Sequence, residues 1–331
     1  MNIKSFRNKG FVVLLSLILS QCIHNQLFAQ QDPMYTHFMF NKLVYNPGFA
    51  GSNKEFICAT FLLHNQWTGY SGKGIDPNNV GEAPSTQTFS IHGPVKRILS
   101  GAGLYVINDK LGYENTISIN ASLSVKKEFR FGTIQLGLNG GMIQKSIDGD
   151  HWVPPTPGPD PLIPAGKQSS MIPDLGAGLY AFTDRYYIGV SAQHLIPGSF
   201  KWGSAVDKLA MHMYIIGGYN WIVPFNPDFE VQPTVLIKND FAKLQFDINT
   251  NILYKNKFWG GLQYREGGDI SILLGMKLSP QLKFGYSYDI GTSKLRSYHT
   301  GTHEIMVNYC FKIVIKTVPE VPNILWNTRH L

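Results

Sequence analysis

Residues 116–126 read Thr-Ile-Ser-Ile-Asn-Ala-Ser-Leu-Ser-Val-Lys, and their period decides the fold. Ile117, Ile119, Ala121, Leu123 and Val125 are apolar and every residue between them is polar. An extended chain with that period carries one apolar face and one polar face. The alternation returns where Leu244, Phe246, Ile248 and Ile252 interleave with Gln245, Asp247, Asn249 and Asn251. It returns again where Ile305, Val307, Tyr309, Phe311 and Ile313 interleave with Glu304, Asn308 and Lys312. These runs are about ten residues long, whereas strands of a soluble sandwich are about five or six and tilted membrane strands need about nine to eleven. Length therefore selects a transmembrane β-barrel over a sandwich.

Marking every such segment gives fourteen candidate strands, an even number as bacterial barrels require. They lie near residues 55–65, 85–93, 101–108, 115–130, 132–144, 174–182, 184–195, 210–222, 228–239, 243–255, 257–266, 269–279, 281–291 and 303–314. The expected fold is an all-β, antiparallel outer-membrane barrel. Such barrels carry long loops outside and short turns in the periplasm. The connections here sort in that way, with the longest, 145–173 and 66–84, following odd-numbered segments. Both termini are then expected in the periplasm.

Composition agrees with a chain that faces lipid. Of 331 residues, 15% are charged and 13% aromatic, with 33 glycines. A soluble domain usually carries about 25% charge. Disorder and an ordinary cytosolic enzyme are both disfavoured. The net charge of +7 includes Lys4, Arg7 and Lys9, and no basic run interleaved with aromatics points to nucleic acid. Those three residues precede the apolar run 11–19 and then Leu27, Phe28, Ala29 and Gln30, the order of a secretory signal cut after Ala29 or Gln30. Leu19 to Cys22 also resembles a lipoprotein cleavage site, but Gln21 stands where a small residue is expected. No later stretch reaches the eighteen apolar residues of a membrane helix. The expected organisation is a signal peptide at 1–30, a periplasmic or plug segment at 31–54, the barrel at 55–314 and a periplasmic tail at 315–331. Within 31–52 the apolar residues lack period two, and Asn46-Pro47-Gly48 breaks any strand, so this segment belongs inside or below the barrel.

Catalytic chemistry leaves no trace. There is no Gly-x-Ser-x-Gly elbow. His303-Glu304 begins like a zinc-protease helix but has Val307 where the second histidine belongs. Asp148, Gly149, Asp150 and His151 could ligate calcium, yet the prolines from Pro154 onward make that loop stiff and extended. The reading assigns no catalytic residue, no metal and no cofactor, and treats the other histidines as wall or loop residues. Tyr186, Tyr187, Trp221, Trp259 and Tyr264 near strand ends suit an interfacial girdle, with core packing as the alternative. The echoes Gly101-Ala-Gly-Leu-Tyr and Gly176-Ala-Gly-Leu-Tyr read as hairpin chemistry in which glycine relieves crowding in the wall. Cys58 and Cys310 fall on the first and last strands, at similar heights and both toward the lumen. A disulfide could staple the seam there, or two small residues could simply fill the wall.

The string QDPMYTHFMFNKLVYNPGFAGS at 31–52 resembles the PorP/SprF family of the Bacteroidetes type IX secretion system. The resemblance continues through HNQWTGY at 64–70, PDLGAGLYAFTDRYYIGVSAQHL at 173–195, GYNW at 218–221, KFWGGLQYR at 257–265, QLKFGYSYDI at 281–290 and HEIMVNYCFKI at 303–313. It implies an outer-membrane barrel, not an enzyme, that works with the type IX machinery. Its cargo would be large exported or surface-attached proteins with a C-terminal sorting domain, such as gliding adhesins. The terminal NTRHL is similar to a family ending NxRFL, with His330 in place of phenylalanine. The loops 66–84 and 145–173 would then face cargo, with Trp67 and Trp152 as candidate contacts. A channel or transporter for small or hydrophobic solutes is the alternative role for such a barrel.

Overall fold

A strand with one apolar face can sit in hydrocarbon only if each backbone edge is paired, and a sheet meets that condition by closing on itself. The computed structural model describes residues 32–70, 83–95, 100–151, 163–164 and 166–312. The strands are β1 (Phe56–Asn65), β2 (Ser85–Pro94), β3 (Gly101–Leu111), β4 (Glu114–Phe129), β5 (Gly132–Asp148), β6 (Lys167–Phe182), β7 (Tyr186–Gln193), β8 (Ser199–Trp202), β9 (Ala205–Lys208), β10 (His212–Tyr219), β11 (Trp221–Ile222), β12 (Phe229–Asn239), β13 (Leu244–Tyr254), β14 (Phe258–Arg265), β15 (Asp269–Lys277), β16 (Leu282–Gly291) and β17 (Thr302–Lys312). Each wall strand pairs antiparallel with its neighbour in sequence, and β1 pairs with β17 to close a barrel of 14 strands. The two-residue β11 extends the edge of β12, and β8 and β9 form a separate hairpin.

The wall is inverted relative to a soluble protein. Ile119, Leu123, Leu136, Leu138, Leu262 and Leu274 point outward and are about half exposed. Ser90, Asn120, Ser122, Asn249, Ser271 and Ser287 point inward and are buried. Apolar outside and polar inside is the pattern of a membrane barrel. The longest connections, 66–84, 149–166, 194–211 and 292–301, share one end. The other end, here the short-turn end, carries turns such as 130–131, 183–185 and 255–257.

Two expectations about local structure need correction. The loop expected at 145–173 is shorter, because β5 and β6 continue as a paired ladder to Asp148↔Lys167. The ladder is held beyond the rest of the wall by Ile143, Ile147 and Ile172, which pack on Phe200 and Trp202 of the β8–β9 hairpin. The girdle reading also divides. Tyr186, Trp221 and Tyr264 face outward, but Trp259 is buried in the lumen and Tyr187 packs against the same interior cluster. Period two places adjacent residues on opposite faces, so Tyr186 and Tyr187 cannot share a girdle.

The lumen is filled by the N-terminal segment. Residues 32–52 run from the long-loop end, where Asp32 meets His194, to the short-turn end, where the Gly51 N–H donates to His92 Nδ1 at 3.3 Å. A short helical turn, Lys42–Tyr45, lies midway. Tyr35, Phe38, Leu43 and Tyr45 are almost wholly buried. Burying each such side chain is worth about 1.5–3 kcal/mol before ordering costs. The signal region 1–30 and the tail 315–331 lie outside the described residues.

Candidate functional site

The plug docks through its backbone as much as through its side chains, because a non-repetitive segment leaves N–H and C=O groups that the wall must satisfy. Glu304 on β17 is fully buried and is the principal acceptor. It takes the N–H groups of Thr36 at 2.9 Å and His37 at 2.6 Å, and the Nδ1 atoms of His37 and His64 each lie 2.8 Å from its carboxylate. Thr36 Oγ1 donates to Asp289 at 2.7 Å, and Arg265 donates to the Tyr35 carbonyl at 3.1 Å. Further down, Ser191 donates to the Tyr45 carbonyl at 2.6 Å, while Ser124 and Gln135 both donate to the Ala50 carbonyl at 2.7 Å. Asn46 caps the turn that follows by accepting from Gly48 N–H at 2.8 Å.

Glycines make the close approach possible. A Cβ at Gly101 would lie 2.1 Å from the Ala50 carbonyl oxygen, one at Gly137 2.3 Å from the Gly48 nitrogen, and one at Gly178 2.2 Å from Asn46 Oδ1. In the two Gly-Ala-Gly-Leu-Tyr echoes, the glycines at 101, 103 and 178 face the plug, and Tyr180 packs edge-on against Phe49 with centroids 5.4 Å apart. Lys42 places its ammonium 3.6 Å from the centroid of the Tyr187 ring. Burial lowers its pKa to about 7.

Above the plug, toward the long loops, lies a cavity of about 690 Å³. Its floor is Asp32 to Met34 and Tyr45, and the β8–β9 hairpin contributes Phe200 and Asp207 to its side. Lys145 in its wall forms ion pairs with Glu114 and Asp207, both at 2.9 Å. At the floor, Asp32 lies 3.0 Å from His194 Nε2 and accepts from Tyr214 OH at 2.5 Å. Burial alone would raise the Asp32 pKa, but His194 and His212 outweigh it and hold the carboxyl well below its usual range. Burial opposes the charge on His194, and the carboxylates of Asp32 and Asp174 overcome it, raising its pKa to about 10.

Of the residues singled out in the sequence, Trp67 is half-buried at the rim of this cavity, in a left-handed backbone conformation, with its backbone N–H donating to Thr302 Oγ1 at 3.1 Å. Trp152 lies outside the described residues. Cys58 and Cys310 stand directly opposite each other across the closing seam, pointing inward, with sulfurs 2.08 Å apart. Sequence reasoning missed Glu304, His37, His64, Asp32, His194 and His212. The available signal was the polar pair Thr36-His37 inside an otherwise apolar string, and charged residues at inward positions of strands.

Residues 27–309, which span plug and wall together, match the family described as type IX secretion system membrane protein PorP/SprF. The chain belongs to that family. No curated protein sequence matches this PorP/SprF protein. Solved structures align with it over most of both chains at low sequence identity. Acinetobacter baumannii Omp33 aligns with 8% identity over 78% of this chain and 98% of its own, at a TM-score of 0.42. The CymD monoaromatic hydrocarbon channel aligns with 11% identity over 83% and 93%, at 0.48. A Pseudomonas aeruginosa FadL homologue aligns with 12% identity over 78% and 90%, at 0.47. The family match, together with a closed wall that is apolar outside and polar inside, makes this an outer-membrane β-barrel of the type IX secretion family whose lumen holds its own N-terminal segment.

Proposed function

We propose that this protein serves type IX secretion as a plugged barrel that supports export or surface attachment of large cargo, such as gliding adhesins with a C-terminal sorting domain. It is not an enzyme on this reading, and its partners are the secretion machinery, its cargo and the lipids around it. Membership of the PorP/SprF family carries the proposal. The plug supports it: a lumen crossed by a segment that is hydrogen-bonded from Thr36 to Ala50 offers no path for a polypeptide. Cargo is then engaged at the long-loop end, which faces outward on this reading and where Trp67 stands at the rim of the cavity; Trp152, the other candidate contact, lies outside the described residues. Asp32 stands at that same end, whereas β17 finishes at the short-turn end, which on this reading faces the periplasm.

The alternative role, passage of small or hydrophobic solutes, draws on one observation, the cavity above the plug. A photo-crosslinking residue at position 67 tests the cargo reading in living cells. Capture of a sorting-domain protein is expected. Wild-type secretion with no adduct to any exported protein at position 67 or at position 152 would overturn the proposed contact face.

A further inference from the structure

His194 follows the last residue of β7 and His212 opens β10, and these strands are paired with Gln193 opposite His212. Both imidazoles therefore rise side by side at the long-loop end of the lumen, with ring centroids 5.6 Å apart and planes at 87°. Asp32 reaches them from the plug, so three stretches far apart in sequence meet at one point. One donor atom from each of the three residues lies within 4.8 Å of the others.

The second layer fixes how each ring presents itself. His212 Nδ1 lies 3.0 Å from the Ala210 carbonyl. A carbonyl only accepts, so Nδ1 carries the proton and Nε2 is left as a lone pair in the neutral ring. His212 is 5% exposed, and its Nε2 has no hydrogen-bond partner among the described residues. His194 Nδ1 lies 2.9 Å from Asp174, so its Nε2 points at Asp32, at 3.0 and 3.2 Å from the two carboxylate oxygens. Tyr214 OH holds that carboxylate from the far side. Metal-binding histidines characteristically donate their other ring nitrogen to a carboxylate or backbone carbonyl, and both do so here.

An ion pair between Asp32 and His194 explains half of this arrangement. It leaves His212 Nε2 buried beside the pair and, among the described residues, unsatisfied, which costs about 1–3 kcal/mol. A cation shared by all three residues satisfies every donor.

We propose that Asp32, His194 and His212 bind a divalent transition-metal ion of the zinc class, which ties the head of the plug to the barrel wall. Two imidazoles and one carboxylate suit zinc and its neighbours rather than calcium or magnesium, which take oxygen. Tetrahedral zinc with bonds of about 2.0–2.1 Å sets its donor atoms about 3.3 Å apart. The Asp32–His194 separation already matches, and His212 needs only a side-chain adjustment. Asp32 keeps partial solvent contact and lines the cavity, which leaves the fourth position open to water or to a ligand from above. This site rests on geometry alone and stands whether or not the secretion role does.

The test uses the full mature chain without a histidine tag, folded in detergent, stripped with a chelator and dialysed against zinc or cobalt(II). About one zinc per chain is expected, together with the visible cobalt absorption of a four- or five-coordinate site. Zinc should slow amide exchange at residues 33–40. His212→Ala and His194→Ala should each weaken zinc binding at least tenfold, and His212→Gln serves if the alanine variant folds poorly. His303→Ala, whose ring instead meets Tyr286 at 2.7 Å, should bind as wild type. Folded, heat-modifiable wild-type barrel that takes up no stoichiometric zinc would overturn the proposal and leave an ion pair only. So would zinc binding that survives both histidine substitutions.

Discussion

Replacing Glu304 with alanine should release the plug without unfolding the barrel. The carboxylate is fully buried and receives four donors, two backbone N–H groups and two imidazoles, at 2.6–2.9 Å. Removing one member of a buried charged network typically costs about 3–5 kcal/mol, since its partners stay desolvated and unpaired. The wall loses only the His64 contact, and its backbone stays paired, because β17 is held by ladders to β1 and β16 that do not involve the Glu304 side chain. At about 1.4 kcal/mol per factor of ten, the plug should open roughly 10²- to 4 × 10³-fold more often. Hydrogen exchange read by mass spectrometry on peptides from residues 33–50 measures this directly, with β13 and β14 peptides as the internal reference. Glu304→Gln keeps one acceptor and should show a smaller acceleration. Unchanged exchange at 33–50 in the alanine variant, or equal acceleration in the wall, would refute the claim that Glu304 anchors a separable plug.

Three further perturbations follow from the same contacts. Gly137→Ala puts a Cβ 2.3 Å from the Gly48 backbone and should expel the lower half of the plug, raising protease cleavage within 31–52, whereas Gly140→Ala, whose Cβ meets nothing nearer than 3.9 Å, should be silent. Lys42 has its pKa lowered by burial from 10.5 to about 7, so the docked plug disfavours the charged amine below about 7, and that penalty is relieved as pH rises toward 10.5. Protease protection of the plug should therefore increase over that window, and Lys42→Met should flatten the dependence; a wild-type profile with no rise would count against the buried amine. Direct opposition of Cys58 and Cys310 in an oxidising compartment predicts a linked peptide pair in an unreduced digest, and free alkylatable thiols at both positions in folded protein would contradict it.

The wall was legible because hydrocarbon imposes period two on every residue that faces it. Ile117 to Val125 obey that rule without exception, and strand number and loop parity followed from it. Legibility faded where the lipid constraint stops. The upper parts of β5 and β6 are stabilised by Phe200 and Trp202 from a hairpin twenty or more residues away, and nothing in their own pattern announces it. The plug was legible only as a non-strand, since its partners lie up to 268 positions distant in sequence. Trp259 looked like a girdle residue from its place near a strand end, but its register turns it inward onto Phe40, with ring centroids 5.4 Å apart. The Asp32, His194 and His212 cluster has no local spacing at all. Barrel closure brings β7 beside β10, and the plug delivers the third residue.

The secretion role is tested most directly in a strain lacking this gene, by comparing sorting-domain proteins on the cell surface and in the medium with the uptake of small solutes. Surface display or release of at least one such protein should be lost with solute uptake unchanged, and the wild-type gene should restore display while a version lacking residues 31–45 should not. Normal display of every sorting-domain protein together with reduced solute uptake would contradict that role.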